Sequence, residues 1–328
     1  MLSKANLRER RQYYREEWSK NDLPDFITNE ITKREFGFDH FGKGPNDRYK
    51  VFKGPDSLKR FLRQKAPFAA YISVAFYNVP RRRGDWQKAE YIFDVDAKDI
   101  PIRSCNCDGV CEICLGEALE IVNSLVDSLS NDLSLKNLHL VYSGRGYHIR
   151  ILDEDIMPSG SDLRGELLKY VAGAEVPKTS YSNLESSNKA YNFEHFTIPL
   201  GYHKLFTSKV KYNLLHLTGS EELDGINPKL MKDILKHRHF LENDEWGLFK
   251  SKIGPRRYKD LTQAMAQVNL STIDAKVSID LKRILRLPSS LHSKVSMKCI
   301  EVKNRETFDP FKEAVPKFVW ERKEGIHE

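Results

Sequence analysis

The stretch Tyr91-Ile92-Phe93-Asp94-Val95-Asp96 is a short apolar run that ends in two aspartates one residue apart. Side chains alternate along a β-strand, so Asp94 and Asp96 are expected on one face and the apolar residues between them on the other. Two adjacent carboxylates repel each other unless they are protonated or neutralised by a cation, and Mg²⁺ is commonly held by a few carboxylates and substrate phosphates. The run predicts a divalent-metal site or, as the plainer alternative, a strand that ends in a solvated acidic turn.

The segments after this run predict the order strand, helix, strand, short turn, strand. Residues Glu112–Leu129 place leucines and valines at helical spacing, which is typical of an amphipathic helix. Leu138–Tyr142 and Tyr147–Leu152 are strand-like and are joined by a glycine-containing turn. Upstream, residues 3–20 and Ser57–Leu62 predict helices, and residues 67–77 predict a core strand.

From about residue 156 to residue 255 the strand signals become sparse. Leu163–Val171 and Pro228–Leu241 predict helices there, so this stretch is interpreted as a mainly helical insertion. Residues 276–300 are rich in β-forming and basic residues, which predicts a return to dense β structure.

Composition places broad limits on the class of protein. The 328 residues are 40% hydrophobic and 30% charged, as in soluble globular proteins, and the net charge of +7 weakly favours an anionic partner. No apolar run is long enough for a membrane span, and Met1–Arg11 is polar and basic, without the apolar segment of a secretory signal. An intracellular location is therefore expected.

Four of the five cysteines lie within ten residues, with the spacing C-x-C-x₃-C-x₂-C. Four thiolates satisfy a tetrahedral Zn²⁺ and leave no open coordination position, so such a zinc would be structural. Free thiols or an iron–sulfur centre are the alternatives. The candidate ligands are Cys105, Cys107, Cys111 and Cys114.

The turn between the two later strands is Ser143-Gly144-Arg145-Gly146-Tyr147-His148. Its glycines allow the backbone to approach a ligand closely, while Arg145, His148 and the Ser143 hydroxyl offer hydrogen bonds to an anion. A simple hairpin turn with an incidental histidine remains the alternative interpretation.

A third cluster lies in Val277–Lys294. Asp280 is followed within fourteen residues by five basic or imidazole side chains: Lys282, Arg283, Arg286, His292 and Lys294. A solvated basic face is the usual interpretation of such a run. Because leucines and isoleucines are interleaved with the bases, part of the run is expected to be buried, where cations need anionic partners such as phosphates.

Taken in order, these segments resemble the catalytic small subunit of archaeal and eukaryotic DNA primases, with the closer match to the archaeal branch. Asp94-Val95-Asp96 resembles the metal motif of that family, and Asp280 falls where a third metal-binding aspartate is expected. Arg34–Phe38 and the pair Arg48-Tyr49 resemble further segments of the family. The chain departs from the pattern in two places: one residue fewer separates Gly144 from Arg145, and Val295-Ser296 replaces a Thr-Gly pair.

The resemblance implies an α/β (α+β) catalytic domain with a mixed, largely antiparallel sheet. Residues 1–155 and 256–328 would form this domain, with a zinc loop at about 104–115 and the helical insertion at 156–255. It implies a DNA-dependent RNA polymerase that makes short RNA primers by two-metal nucleotidyl transfer. Mg²⁺ or Mn²⁺ would be held by Asp94, Asp96 and Asp280, and triphosphates would be bound by Ser143, Arg145, His148, His292 and Lys294.

The implied partners are single-stranded DNA, nucleoside triphosphates and an iron–sulfur-containing large subunit in a heterodimer. The location would be cytoplasmic in an archaeon and nuclear in a eukaryote. Two alternatives remain open: a repair or end-joining polymerase of the same superfamily, and a non-catalytic zinc-containing nucleic-acid-binding module. Arg48, Arg81–Arg83, Arg283 and Arg286 are candidates for contacts to the template or the initiating nucleotide, or are solvated surface residues.

Overall fold

The structure is a computed structural model that describes residues 2–177 and 201–323. The helices are α1 (Leu7–Gln12), α2 (Asp25–Thr28), α3 (Pro55–Lys65), α4 (Glu112–Asn131), α5 (Ser161–Ala172), α6 (Gly201–His216), α7 (Pro228–His237), α8 (His239–Glu242), α9 (Trp246–Ile253), α10 (Pro255–Ser271), α11 (Ala275–Ile279), α12 (Pro310–Glu313) and α13 (Lys317–Lys323). The strands are β1 (Phe36–Asp39), β2 (Asp47–Lys50), β3 (Ala69–Ser73), β4 (Ala75–Val79), β5 (Gly84–Ala89), β6 (Tyr91–Asp96), β7 (Leu138–Tyr142), β8 (Gly146–Ile151), β9 (Ile284–Arg286) and β10 (Ile300–Glu301).

The described strands form two four-stranded sheets and one hairpin. The first sheet has the order β2-β1-β3-β9, the second has the order β10-β7-β8-β6, and β4 pairs with β5. Each pairing is antiparallel. The expected α/β class with a largely antiparallel arrangement is therefore confirmed.

Strand β6 separates two environments, as its alternation predicts. Tyr91, Phe93 and Val95 are fully buried in the main hydrophobic core, which α4 covers. Ile92 lies on the opposite face and packs in a small cluster with Val277 of α11. The aspartates share the face of Ile92, so the fold directs them toward the chain around α11.

Most of the elements predicted before residue 172 are present. Helix α4 matches the predicted amphipathic helix, β7 and β8 match the two strand-like runs, and α5 matches the helix predicted at Leu163–Val171. The stretch predicted as one strand at residues 67–77 is instead divided between β3 and β4, which pair with different partners. The predicted order of strand, helix, strand, turn and strand is confirmed.

The prediction of dense β structure at residues 276–300 is wrong over most of its length. Residues 275–279 form helix α11, because the Asp274 side chain accepts hydrogen bonds from the N–H groups of Lys276 and Val277 and so caps the helix. Beyond it, strand structure is confined to β9 and to Ile300 at the start of β10.

Helices from the predicted insertion build a second hydrophobic core together with α10, which begins at the predicted boundary and extends beyond it. Its buried residues come mainly from α6, α7, α9 and α10, whereas α5 packs into the main core with Leu168 and Val171. The domain boundaries at 156 and 255 stay a prediction, and residues 178–200 within them lie outside the described residues. In the described part of the chain, no helix combines the length and apolarity needed to cross a bilayer.

Candidate active site

Two carboxylates lie at the end of β6, beside the turn that precedes α11. Asp94 and Asp96 lie one residue apart at the end of β6, and the backbone N–H of Asp274 donates to the carbonyl oxygen of Asp94 at 3.0 Å. Burial, and then the charges of Asp96 and Asp274, raise the pKa of Asp94 to about 7. A carboxylate in these surroundings is costly to ionise, and a divalent cation bound at Asp94 and Asp96 would offset the cost.

Asp96 is paired with the arginine of the β7–β8 turn. The Asp96 Oδ2 atom accepts from the Arg145 Nε–H at 2.9 Å and also from the Arg145 Nη2. The pairing follows from the sheet register, since Asp96 of β6 lies opposite Gly146 of β8. The same register sets Asp94 opposite His148, whose Nε2 is 3.4 Å from the Asp94 Oδ1.

The turn itself packs tightly against the segment after β9. Gly144 has a φ of +102°, and a Cβ at this position would collide with the His292 side chain. A Cβ on Gly146 would likewise collide with the Val95 carbonyl oxygen. These two glycines are thus needed for close approach, and that approach brings the two histidine-bearing segments together.

Both histidines are buried and uncharged at neutral pH. Burial lowers the pKa of His148 well below its usual value, and the charges of Arg150 and Arg286 add to the effect. Burial also lowers the pKa of His292, with further contributions from Arg286, Arg145, Lys294 and His148. The cationic side chains of Arg286, Arg145 and Lys294 therefore act on one small volume, which favours an anionic ligand there.

The hydrogen bonds of three residues in this cluster show which polar atoms are already engaged. The His292 Nδ1 accepts from the Lys294 backbone N–H at 3.1 Å. The buried Nδ1 of His148 has no hydrogen-bond partner among the described residues. Ser143 is buried at the end of the turn, where its N–H donates to the Gly146 carbonyl at 2.8 Å. Arg145 and His148 thus lie beside the pair of aspartates, and His292 packs against the turn that carries Arg145. The phosphate-binding roles of Ser143, Arg145, His148, His292 and Lys294 stay predictions.

Asp280 occupies a different environment from Asp274. It is the residue that ends α11, and its Oδ1 accepts from the Lys282 backbone N–H at 2.8 Å. Its charge is among those that act on the Tyr77 hydroxyl, and it is not among the principal groups that shift the pKa of Asp94. The role of Asp280 as third metal ligand stays a prediction, and Asp274, whose charge acts on Asp94, is a second candidate for that position.

Sequence reasoning missed Asp274. The signal available was an acidic residue directly before a short helix-forming segment, which is typical of an N-cap. Both Asp274 and Asp280 follow an isoleucine and lie six residues apart, so pattern alone did not separate them. Arg283 and Arg286 were weak candidates in the sequence, and their charges act on Asp94 and on the two histidines respectively.

The four clustered cysteines converge as predicted. Their Sγ atoms all lie within 4.8 Å of one another, and three of the separations are 3.6–3.8 Å. A tetrahedral Zn²⁺ with Zn–S bonds of about 2.3 Å requires S–S edges of about 3.8 Å. The cluster, made of Cys105, Cys107, Cys111 and Cys114, can hold a metal ion such as zinc.

The remaining arginine candidates lie beside the first sheet. Glu35 is fully buried and accepts from the Arg48 Nε–H at 2.7 Å, while the Arg83 Nε lies 3.6 Å from the other oxygen of Glu35. Arg83 also donates to the Tyr49 hydroxyl at 2.9 Å. These contacts give Arg48 and Arg83 defined positions, unlike the exposed Arg81 and Arg82.

Comparison with known proteins gives a consistent result. A family model described as DNA primase small subunit matches residues 93–303. The chain is 78% identical to the protein named DNA primase small subunit PriS of Methanobrevibacter smithii, over 99% of this chain and 100% of the relative. It is 55% identical to the protein of that name from Methanothermobacter thermautotrophicus, over 98% and 99% of the two chains, and 38% identical to that from Thermococcus kodakarensis, over 99% and 95%.

A solved polymerase domain of Mycobacterium tuberculosis ligase D, in complex with DNA, aligns with 98% of this chain and 90% of its own at a TM-score of 0.47 and 12% identity, too weak a likeness to bear on function. The family model spans well over half of the chain, and the three archaeal relatives align with it almost from end to end. The chain therefore belongs to the DNA primase small subunit family.

Proposed function

We propose that this chain is the catalytic subunit of a DNA primase, a nucleotidyltransferase that joins ribonucleoside triphosphates into short RNA primers on single-stranded DNA. The observation that carries the proposal is the meeting of two opposite charge clusters. The carboxylates of Asp94 and Asp96 adjoin the cationic group around Arg145 and the two histidines. A triphosphate with divalent cations complements both clusters at once.

The acidic cluster fits hard divalent ions such as Mg²⁺ or Mn²⁺. Asp94, Asp96 and a third acid, Asp280 or Asp274, would hold them, since the charges of Asp96 and Asp274 add to the cost of ionising Asp94 when no cation is present. When bound, such ions would acidify the attacking hydroxyl group and neutralise charge on the triphosphate and the leaving pyrophosphate.

The basic cluster fits the phosphates. Arg145 offers a planar guanidinium for phosphate oxygens, and Lys294 adds a mobile ammonium group. His148 and His292 are neutral in the free protein and can donate a hydrogen bond to a phosphate oxygen from an N–H. Catalysis would come from positioning and charge neutralisation, without a covalent intermediate on the protein.

The decisive experiment compares Asp274→Asn with Asp280→Asn in primer synthesis from labelled nucleotides on single-stranded DNA with Mn²⁺. We expect the variant that removes the third ligand to lower incorporation by at least about a hundredfold and the other variant to retain most of it, with both variants folded by circular dichroism. A loss in Asp280→Asn alone would assign the third ligand to Asp280, as the family resemblance implies, and a loss in Asp274→Asn alone would assign it to Asp274. Full incorporation by both variants would refute a three-carboxylate site.

Primer-free synthesis separates a primase from a repair or end-joining polymerase of the same superfamily. We expect the chain to start new strands from two nucleotides, whereas a polymerase that acts only on an existing 3′ end would need an added primer. A non-catalytic zinc-containing module would incorporate no nucleotide at all. The three carboxylates disfavour this last alternative, because nucleic-acid binding alone gives no reason to gather negative charge.

The family implies further components. We infer a large-subunit partner, because the relatives are named small subunits, and a single-stranded DNA template. The resemblance adds an iron–sulfur cluster in that partner. The cysteine cluster would hold a structural Zn²⁺, since its sulfur separations match a tetrahedral site. The relatives are archaeal, so the enzyme would act in the cytoplasm.

A further inference from the structure

A cavity of about 230 Å³ lies apart from the candidate active site, between α4, α6, the end of α5 and the end of α10. Ala172 of α5, in its wall, belongs to the main hydrophobic core, whereas α6 and α10 contribute residues to the second core. The cavity therefore lies on the boundary between the two cores. A ligand held there would contact both parts of the chain.

The cavity contains a cation that has no counter-ion among the residues that the structure describes. The Lys209 side chain of α6 is half-buried, and its methylene stem packs close to Gly173. Among residues 2–177 and 201–323, its ammonium group has a single long hydrogen bond, 3.4 Å to the Ser124 hydroxyl, and no ion pair. Burial alone lowers the pKa of Lys209 to about 8. Desolvating an ammonium group without an acidic partner is unfavourable.

The other polar groups in the wall are already ordered. Asn213 donates to the Asn269 side-chain oxygen at 2.7 Å, and Asn269 donates to the Gly173 carbonyl at 2.8 Å. The Tyr212 hydroxyl donates to Glu120 at 2.9 Å, so that carboxylate is engaged away from Lys209. A preordered wall of this kind lowers the entropic cost of binding a small ligand.

We propose that this cavity binds a small anion, with a carboxylate or phosphate group accepting hydrogen bonds from the Lys209 ammonium group and the Ser124 hydroxyl. The volume suits a small metabolite. This site shares no residue with the candidate catalytic groups and does not depend on their assignment.

The test follows thermal unfolding of the full chain as orthophosphate or succinate is added at constant ionic strength. We expect a saturable rise in the unfolding temperature with at least one of the two anions, which identifies the favoured group. In Lys209→Met the half-saturating concentration should rise at least about tenfold, because the cation that meets the anion is gone. The exposed Lys204 of the same helix provides the control, and Lys204→Met should behave as wild type.

Two further measurements separate binding in this cavity from anion binding at the candidate active site and from a general loss of stability. The rise should persist in Lys294→Ala, which weakens phosphate binding at the candidate active site. In anion-free buffer Lys209→Met should unfold at the wild-type temperature or above, since it replaces a desolvated lone cation by an apolar chain of similar length. The proposal is overturned if neither anion raises the unfolding temperature, or if the rise is the same in Lys209→Met as in wild type.

Discussion

The raised pKa of Asp94 links the surroundings of this residue directly to the proposed binding of a metal ion. Its carboxyl group is half-buried beside Asp96 and Asp274, and its pKa of about 7 means that a proton occupies the site in weakly acidic solution. A divalent ion must displace that proton. Metal affinity should therefore rise with pH up to about 7 and level off above it, because below the pKa each pH unit reduces the ionised fraction about tenfold.

Calorimetric titration with Mn²⁺ at pH 6, 7 and 8, without nucleotide, measures this dependence. We expect roughly tenfold weaker binding at pH 6 than at pH 8. Asp94→Asn should bind weakly at all three values and lose the dependence, since the titrating group is removed. Equal affinity at pH 6 and pH 8 in the wild type would show that Asp94 is ionised throughout.

Substitution of Gly144 tests whether the close approach of the turn to His292 is needed for nucleotide binding. Gly144→Ala places a Cβ against the His292 side chain at a φ of +102°, so the two phosphate-binding segments should move apart. We expect the KM for nucleoside triphosphates to rise at least about tenfold, by analogy with other misplaced positioning groups, as measured by steady-state incorporation.

Gly116→Ala is the matched control for that substitution. Gly116 lies in α4, and a Cβ there meets no atom within 4 Å. The change should leave KM unaltered and stabilise the helix by roughly 0.5–1 kcal/mol. An unchanged KM in Gly144→Ala would mean that the turn can relax without disturbing the site.

The sequence predicts which residues group together in the site when those residues are also close together along the chain. Asp94 and Asp96 share a face by strand alternation, and Arg145 and His148 lie in one turn, so their grouping was predictable. The choice between Asp274 and Asp280 was not, because it depends on how α11 docks on β6. That contact is a property of the tertiary structure.

At the scale of elements, the cysteine loop and α4 form one unit. Cys111 is the N-cap residue of α4 and Cys114 lies in its first turn, so a metal ion at the cluster would fix the start of the helix that covers the main core. Serine is itself a favourable N-cap. Cys111→Ser therefore preserves the cap while removing a metal ligand.

We expect Cys111→Ser to lose the bound metal and to unfold several degrees below the wild type, because ligand loss forfeits metal-linked folding energy. Elemental analysis gives the metal content and differential scanning fluorimetry gives the unfolding temperature. Cys299→Ala, which alters the buried cysteine outside the cluster, should retain one zinc per chain. Wild-type protein without zinc, or Cys111→Ser with a full complement, would refute a structural zinc.

Whether a helix or strand can be predicted from the sequence depends on how strongly the local sequence restrains the backbone. Helix α4 was predictable because its apolar residues repeat at helical spacing over 20 residues. Helix α11 was not, because five residues rich in β-branched side chains favour a strand until the Asp274 cap is taken into account. Short segments of this kind are fixed by caps and tertiary contacts.

At the scale of the whole molecule, a buried ion network joins the two sheets. Glu90 lies just before β6 and forms ion pairs with Arg34 at 2.7 Å and with Arg150 at 2.8 Å, all three side chains being fully buried. Arg34 also donates to the Ser73 carbonyl at the end of β3, and Arg150 donates to the Arg286 carbonyl of β9. No sequence pattern predicts this network, since its members are far apart in the chain.

The network fixes the position of β6, and with it Asp94 and Asp96, relative to the first sheet. Its loss should therefore lower the stability of the protein and disturb the site. Glu90→Gln would leave two buried guanidinium groups without a carboxylate, which typically costs about 3–5 kcal/mol of unfolding free energy. Urea unfolding followed by circular dichroism measures this loss.

Glu154→Gln is the control, because Glu154 is an exposed carboxylate paired with Lys88, and its loss should cost at most about 1 kcal/mol. Equal stability of the two variants would show that the arginines find other partners, and that the sheets are held together by apolar packing alone.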